Sequence, residues 1–262
     1  MSPRKSAPFD GVAELYDQAR PRYPAQLVAD LVRLTGLTVG GRVLEIGCGT
    51  GQLTLPLAEH GVSLVAVEAG ERLAAIASRN LARFPNARVI VSTFEDWELP
   101  DEPFDVVLAA TAFHWLDEKS RVKKCVQALR PGGTLAIIDT LWGVSDSLDP
   151  FTVESQACYA RWDRNSDPDY RPPTVADVPA RHEELERSNL FRTVNLSRYG
   201  VQRTYTADGY CELLRTFSDV IGLAEDLRLG FLECVASLID HRFQGKLTRR
   251  DLYQLWLAQT PG

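Results

Sequence analysis

The stretch Val43–Thr54, "VLEIGCGTGQLT", decides the fold of this chain. A short apolar run is punctuated by Glu45, Gly47, Gly49 and Gly51 and passes directly into a second apolar pattern. Glycines at these positions let the backbone turn tightly and let a ligand lie against it with no side chain in the way. A dinucleotide-binding loop would read G-x-G-x-x-G and would offer free N–H groups to a pyrophosphate. Here the loop reads G-x-G-x-G and carries an acid two residues before its first glycine. That acid is ill suited to a pyrophosphate and well suited to a cation, so the expected ligand carries an amino group or a sulfonium. An NAD-dependent dehydrogenase is disfavoured on the same ground.

Outward from this loop, Arg42 to Thr140 alternates apolar runs ("RVLEIG", "VSLVAVE", "ARVIVS", "FDVVLAAT", "TLAIIDT") with helical stretches such as "ERLAAIASRNLARF" and "EKSRVKKCVQAL". Near-continuous apolar strands between amphipathic helices are what a parallel sheet covered on both faces requires. The fold class is therefore α/β, a doubly wound Rossmann-like sheet of about seven strands. Right-handed crossovers put the strand ends on one side, where ligands gather. Glu68 ends the second strand and can accept the two hydroxyls of a ribose. After the third strand, "STFEDW" offers Phe94 for ring contact and Glu95 or Asp96 for an exocyclic amine.

Before the core, "FDGVAELYDQARPRYPAQLVADLVRLTGL" reads as a short helix, a proline-bounded break and a second helix, an N-terminal lid over residues 1–36. Residues 37–140 are the cofactor-binding core. Residues 141–262 begin with an insertion rich in proline, arginine and aromatics that caps the ligand edge after the fifth strand. They continue through helical patterns to "KLTRRDLYQLWLAQT", read as a strand that completes the sheet.

Composition excludes several classes. Apolar residues are 45%, charged residues 24% and the net charge is −6, an ordinary globular balance with little attraction for a phosphate backbone, so no nucleic-acid partner is expected. No apolar run is long enough to span a bilayer, so no membrane partner is expected and the cytoplasm is the default location. Five widely spaced cysteines, with no C-x-x-C pair, predict neither a disulfide framework nor a metal site. Oligomeric state is left as monomer or homodimer.

The loop and the order of the later motifs resemble class I S-adenosylmethionine-dependent methyltransferases over roughly the first 140 residues. Within that class "FDGVAELYDQARPRYP", "VLEIGCGTG", "VAVE", "FHWLD" and "LRPGGTL" are most similar to the trans-aconitate methyltransferase-like group. The resemblance implies S-adenosyl-L-methionine as cofactor and S-adenosyl-L-homocysteine as product. It implies that Gly47, Cys48, Gly49 and Gly51 lie against the methionine part and that Glu45 serves its amino group. Glu68 with Ala69 would hold the ribose, and Phe94, Glu95 and Asp96 would surround the adenine. Ala110 and Thr111 would line the methionine side, and Tyr16 and Arg20 would close over the site.

His114, in "AATAFHWLD", follows the fourth strand on the ligand side, and three roles are open to it: general base, pocket wall, or link between loop and helix. Wall is the preferred reading, with Trp115 shaping the same surface. Trp142, Arg161 and Arg164 are the other candidate substrate contacts, and the arginines suit a small organic acid methylated at a carboxylate or hydroxyl. A non-catalytic sensor of the cofactor or its product is the competing function.

Overall fold

A computed structural model describes residues 7–162, 167, 170 and 172–262. Three helices come first: α1 (Ala7–Asp10), α2 (Ala13–Ala19) and α3 (Ala25–Thr35). Arg20 to Pro24 breaks the run, because Pro21 and Pro24 cannot donate within a helix. The core then alternates β1 (Arg42–Ile46), α4 (Thr54–Glu59), β2 (Ser63–Glu68), α5 (Glu71–Asn80) and β3 (Ala87–Val91). It continues with β4 (Phe104–Ala110), α6 (Arg121–Ala128) and β5 (Leu129–Leu141). Beyond it lie α7 (Pro150–Trp162), α8 (Glu183–Ser188), β6 (Thr193–Thr206), α9 (Ala207–Leu214), α10 (Ser218–Ile221), α11 (Glu225–Arg242) and β7 (Lys246–Gln259).

The seven strands form one sheet in the order β3-β2-β1-β4-β5-β7-β6. Strands β1 to β5 run parallel, and β7 enters antiparallel between β5 and β6. Alternation along each strand sends side chains to two layers. Leu44, Val107, Leu135, Ile137 and Trp256 face one layer, and Val43, Leu64, Val106, Leu108, Ile138 and Leu255 the other. The order reverses between β1 and β4, which opens a crevice at their carboxyl ends.

Two sequence expectations need correction. The strand that the sequence left unassigned, β6, lies at Thr193–Thr206: its side chains are exposed or half-buried in near alternation, and none is fully buried. Cys158 on α7 and Cys234 on α11 are joined by a disulfide across 76 residues of sequence, although their spacing predicted none. Both helices belong to a third apolar cluster, with Phe151, Tyr210, Leu214, Phe231 and Val235, that forms the cap over the sheet end. Among the described residues no helix is long and apolar enough to cross a membrane, and no histidine, cysteine, aspartate and glutamate side chains group as a metal site would require.

Candidate functional site

A cavity of about 930 Å³ opens at the carboxyl ends of β1, β2, β4 and β5. Its floor is the glycine loop. Gly47 and Gly49 have φ of +67° and +58°, and a Cβ on Gly47 would stand 2.7 Å from that of Ala112. A Cβ on Gly49 would meet the Tyr16 ring at 3.3 Å, so the loop accepts no side chain at either place.

Glu68 organises this floor. At the tip of β2 and 5% exposed, it accepts the Gly49 N–H on Oε2 (2.9 Å) and the Gly70 N–H on Oε1 (2.8 Å). Burial raises its pKa, and the two N–H bonds oppose that without cancelling it. The carboxylate thereby holds both loops in register and keeps further lone pairs for the cavity.

Glu45 sits one strand away, 1% exposed, and its Oε2 has no hydrogen-bond partner among the described residues. Burial, with the Glu68 charge adding to it, pushes its pKa up to about 8. A buried acceptor left without a donor costs roughly 1–3 kcal/mol, and a ligand ammonium would satisfy it. Glu45 lines a small chamber of about 30 Å³ that adjoins the main cavity through Tyr16, Gly47, Thr111 and Trp142. Thr111 directly follows β4 with φ of 54°, a left-handed conformation that is rare for a β-branched residue. Its hydroxyl hydrogen-bonds with Tyr23 Oη and Thr140 Oγ1, each at 3.0 Å, which ties the α2–α3 break to the ends of β4 and β5.

At the other end Ala69, Phe94, Glu95 and Asp96 line the cavity. Phe94 is 3% exposed and belongs to the main core as well. Glu95 Oε1 accepts the Asp117 N–H (2.9 Å), linking the β3 end to the segment that carries His114. Lys124 donates to the carbonyls of Glu95 and Trp97 and lies 5.2 Å from the centre of the Phe94 ring.

The lid meets the cap at Arg20. Its Nε and Nη2 donate to Thr216 Oγ1 (2.8 Å) and Thr216 O (2.6 Å). Its guanidinium lies 4.6 to 5.4 Å from the ring centres of Phe217, Tyr16 and Trp142. Burial lowers its pKa, opposed chiefly by the neighbouring Tyr16. His114 lies in a single 3-10 turn, Phe113–Trp115, with its ring 5.0 Å from that of Trp115, and both line the cavity. Behind them Trp256 Nε1 donates to Asp139 Oδ2 (3.1 Å), and the His182 ring packs edge-on against Trp256 and Phe113. Burial raises the Asp139 pKa, and the His182 and His114 charges oppose the rise.

Of the sequence candidates, the structure brings Tyr16, Arg20, Gly47, Gly49, Glu68, Ala69, Phe94, Glu95, Asp96, Ala110, Thr111, His114, Trp115 and Trp142 to the main cavity. Cys48 and Glu45 line the adjoining chamber, and Gly51 faces a separate cleft. Arg161 is exposed with its guanidinium 5.0 Å from the centre of the Trp162 ring and does not line the cavity. Arg164 falls outside the described residues. Sequence reasoning missed Phe9, Phe217, Ser218 and Asp219, which line the cavity from α1 and the cap. Phe217, Ser218 and Asp219 sit in no motif and arrive there through tertiary packing alone, whereas Phe9 opens the quoted stretch "FDGVAELYDQARPRYP" without having been singled out.

A doubly wound sheet, a glycine loop gripped by a strand-tip carboxylate and a buried acid with one unpartnered oxygen beside that loop make a site suited to a cationic ligand. Comparison with known proteins gives the kind of protein that shares this fold and loop. Residues 43–133 match the model of a methyltransferase domain. An uncharacterized methyltransferase of Mycobacterium tuberculosis H37Rv is 32% identical over 141 residues, 54% of this chain and 54% of the relative. The chain thus spans about half the length of such curated relatives. The YcgJ protein of Bacillus subtilis superposes with a TM-score of 0.57 at 16% identity, over 90% of this chain and 98% of that one. A Geobacter sulfurreducens S-adenosylmethionine-dependent methyltransferase in complex with S-adenosylhomocysteine has a TM-score of 0.55 at 14% identity, over 95% and 96%. Residues 43–133 are therefore similar to a methyltransferase domain, and the fold is one shared with solved structures that include S-adenosylmethionine-dependent methyltransferases.

Proposed function

We propose that the protein transfers the methyl group of S-adenosylmethionine to a small-molecule acceptor and releases S-adenosylhomocysteine. The observation that carries this reading is the shape of the main cavity: a carboxylate-gripped glycine floor at one end and an aromatic-walled chamber at the other. A volume of about 930 Å³ is at the upper end of the ~300–1,000 Å³ usual for ligand sites, enough for a nucleoside cofactor and a small acceptor together. The bound cofactor supplies a sulfonium-activated methyl group, whose departure needs no acid.

The chain's residues then have two tasks, alignment and exclusion of water. Glu68 would take the ribose hydroxyls, Glu45 the amino group, and Phe94 with Glu95 and Asp96 the adenine. Tyr16, Arg20 and Trp142 close the methionine side. The acceptor end offers Trp115, Trp142 and Phe217 as walls and His114, Ser218 and Asp219 as polar groups. Arg20 is the one arginine among the cavity's described lining residues, and two of its donors are committed to Thr216. The arginine support for an organic-acid acceptor, and with it for a trans-aconitate-like specificity, is thereby weakened. A flat apolar acceptor bearing a hydroxyl or amine fits these walls better. For such an acceptor His114 would be the wall residue placed to take the departing proton.

The test uses purified protein, cofactor labelled in its methyl group, and separate panels of phenols, amines and carboxylic acids. Labelled product from a phenol or an amine is expected. Product from the acids alone would restore the organic-acid acceptor, and tight cofactor binding with no product on any panel would overturn the catalytic reading.

A further inference from the structure

A second cavity, of about 750 Å³, opens beside the glycine loop and shares only Arg20 with the main one. Four arginines line it, Arg20, Arg22, Arg79 and Arg83, against one carboxylate, Asp17. Asp17 is already engaged, since its Oδ1 accepts from Asn80 Nδ2 (3.0 Å). Arg83 pairs with Glu59 at 2.7 Å, but both side chains are more than half exposed, and such pairs are weak enough to exchange partners. The guanidinium groups of Arg22 and Arg79 have no partner among the described residues.

Fold stability does not explain this grouping. Arg79, in the last turn of α5, is favourably placed for the helix dipole. Arg22 has the opposite position, two residues ahead of the Pro24 cap of α3, whose first turn contains no acid. A cation beside the positive end of a helix is unfavourable, so Arg22 is there at a cost. Gln52 adds a side-chain amide to the same lining, with one bond to Thr50 Oγ1 (2.6 Å), while both donors of the Asn80 amide are taken by Asp17 and Thr50. Guanidinium forks converging on one cleft are the donor set for oxyanions.

We propose that this cleft binds a small multivalent oxyanion, a phosphate- or carboxylate-bearing metabolite, held chiefly by Arg22 and Arg79 with Arg83 recruited from Glu59. The site is separate from the methyl-transfer cavity. It also adjoins the glycine loop, because Gln52 Oε1 lies 3.4 Å from where a Cβ on Gly49 would stand and Asn80 donates to the Thr50 carbonyl (2.9 Å).

The experiment titrates the full chain, without cofactor, with pyrophosphate and separately with citrate at low ionic strength, followed by calorimetry. Saturable binding of either anion is expected, weakened by added salt; which of the two binds tighter identifies the phosphate or carboxylate source. The double variant Arg22→Ala/Arg79→Ala should lose about tenfold or more in affinity, with an unchanged melting temperature and unchanged S-adenosylhomocysteine binding. No saturable binding of either anion, or binding that persists in the double variant, would overturn the proposal. Displacement of the anion by S-adenosylhomocysteine would overturn it too, by placing the anion in the main cavity at Arg20. None of these readouts depends on methyl transfer.

Discussion

At the scale of single residues the site rests on two acids with different burdens. Glu45 keeps one oxygen, Oε2, without a donor among the described residues, where burial pushes its pKa to about 8, above the 4.5 of an ordinary glutamate. Its proton therefore favours the folded state: the contribution to stability is fully present below about pH 4.5 and is lost as pH rises through about 8. The melting temperature of the cofactor-free protein should fall from pH 5 to pH 9 by more than that of Glu45→Gln. A cationic ligand favours the ionised form, so binding of S-adenosylmethionine at pH 7 should release a proton. That release is read from the buffer dependence of the calorimetric enthalpy, and it should vanish in Glu45→Gln; an equal enthalpy in all buffers for both proteins would separate Glu45 from the cofactor. Glu68 is different, since its two bonds to Gly49 and Gly70 also shape the floor. Replacing it with alanine removes charged acceptors worth about 1.5–3 kcal/mol each, so cofactor affinity should drop by roughly 100-fold in equilibrium binding. Both acids were legible in the sequence, because each ends or lies in an apolar run where only a ligand or a loop explains a charge. Phe217 and Asp219 were not, because nothing local marks a residue that reaches the cavity from a distant turn.

At the scale of elements, legibility followed burial. Strands β1, β2 and β4 are nearly continuous apolar runs and declare themselves. β6 is a 14-residue edge strand paired on one side only, by β7, and its half-solvated pattern looks like a loop. The cap was legible as an insertion but not as a stapled one. Helices α7 and α11 pack closely enough that a Cβ on Gly230 would lie 2.5 Å from the Trp162 ring, and Cys158 meets Cys234 in the same interface. Closing a loop of 76 residues constrains the unfolded chain by about 4 kcal/mol in the entropy model. For a chain of this size each kcal/mol is about 2–4 °C of melting temperature. Cys158→Ser/Cys234→Ser should therefore melt roughly 10 °C lower by calorimetry, in the same buffer without reductant. An unchanged melting temperature would show that the pair is not bonded in solution.

At the scale of the whole molecule, the strand order constrains what can be separated. The sequence divides naturally at Thr140, after the last parallel strand, and that division suggests a free-standing cofactor-binding core. The sheet makes a different demand, because β7 fills the place beside β5 and supplies side chains to both layers. Trp256 packs with Leu135 and Ile137 on one face, and Tyr253, Leu255 and Leu257 pack with Val106 and Ile138 on the other. At about 1.5–3 kcal/mol for each large buried side chain, these four contribute roughly 10 kcal/mol, comparable to the 5–15 kcal/mol net stability of a typical domain. A chain ending at Leu141 would lose all of it and would expose β5 as an apolar edge. Such a chain should show no cooperative unfolding transition in urea and no binding of S-adenosylhomocysteine, although it keeps Glu45, Glu68 and the whole glycine loop. Cooperative unfolding and cofactor binding by the truncated chain would instead mean that the remaining strands close their own core, leaving the last 121 residues (262 − 141) to serve the acceptor end alone.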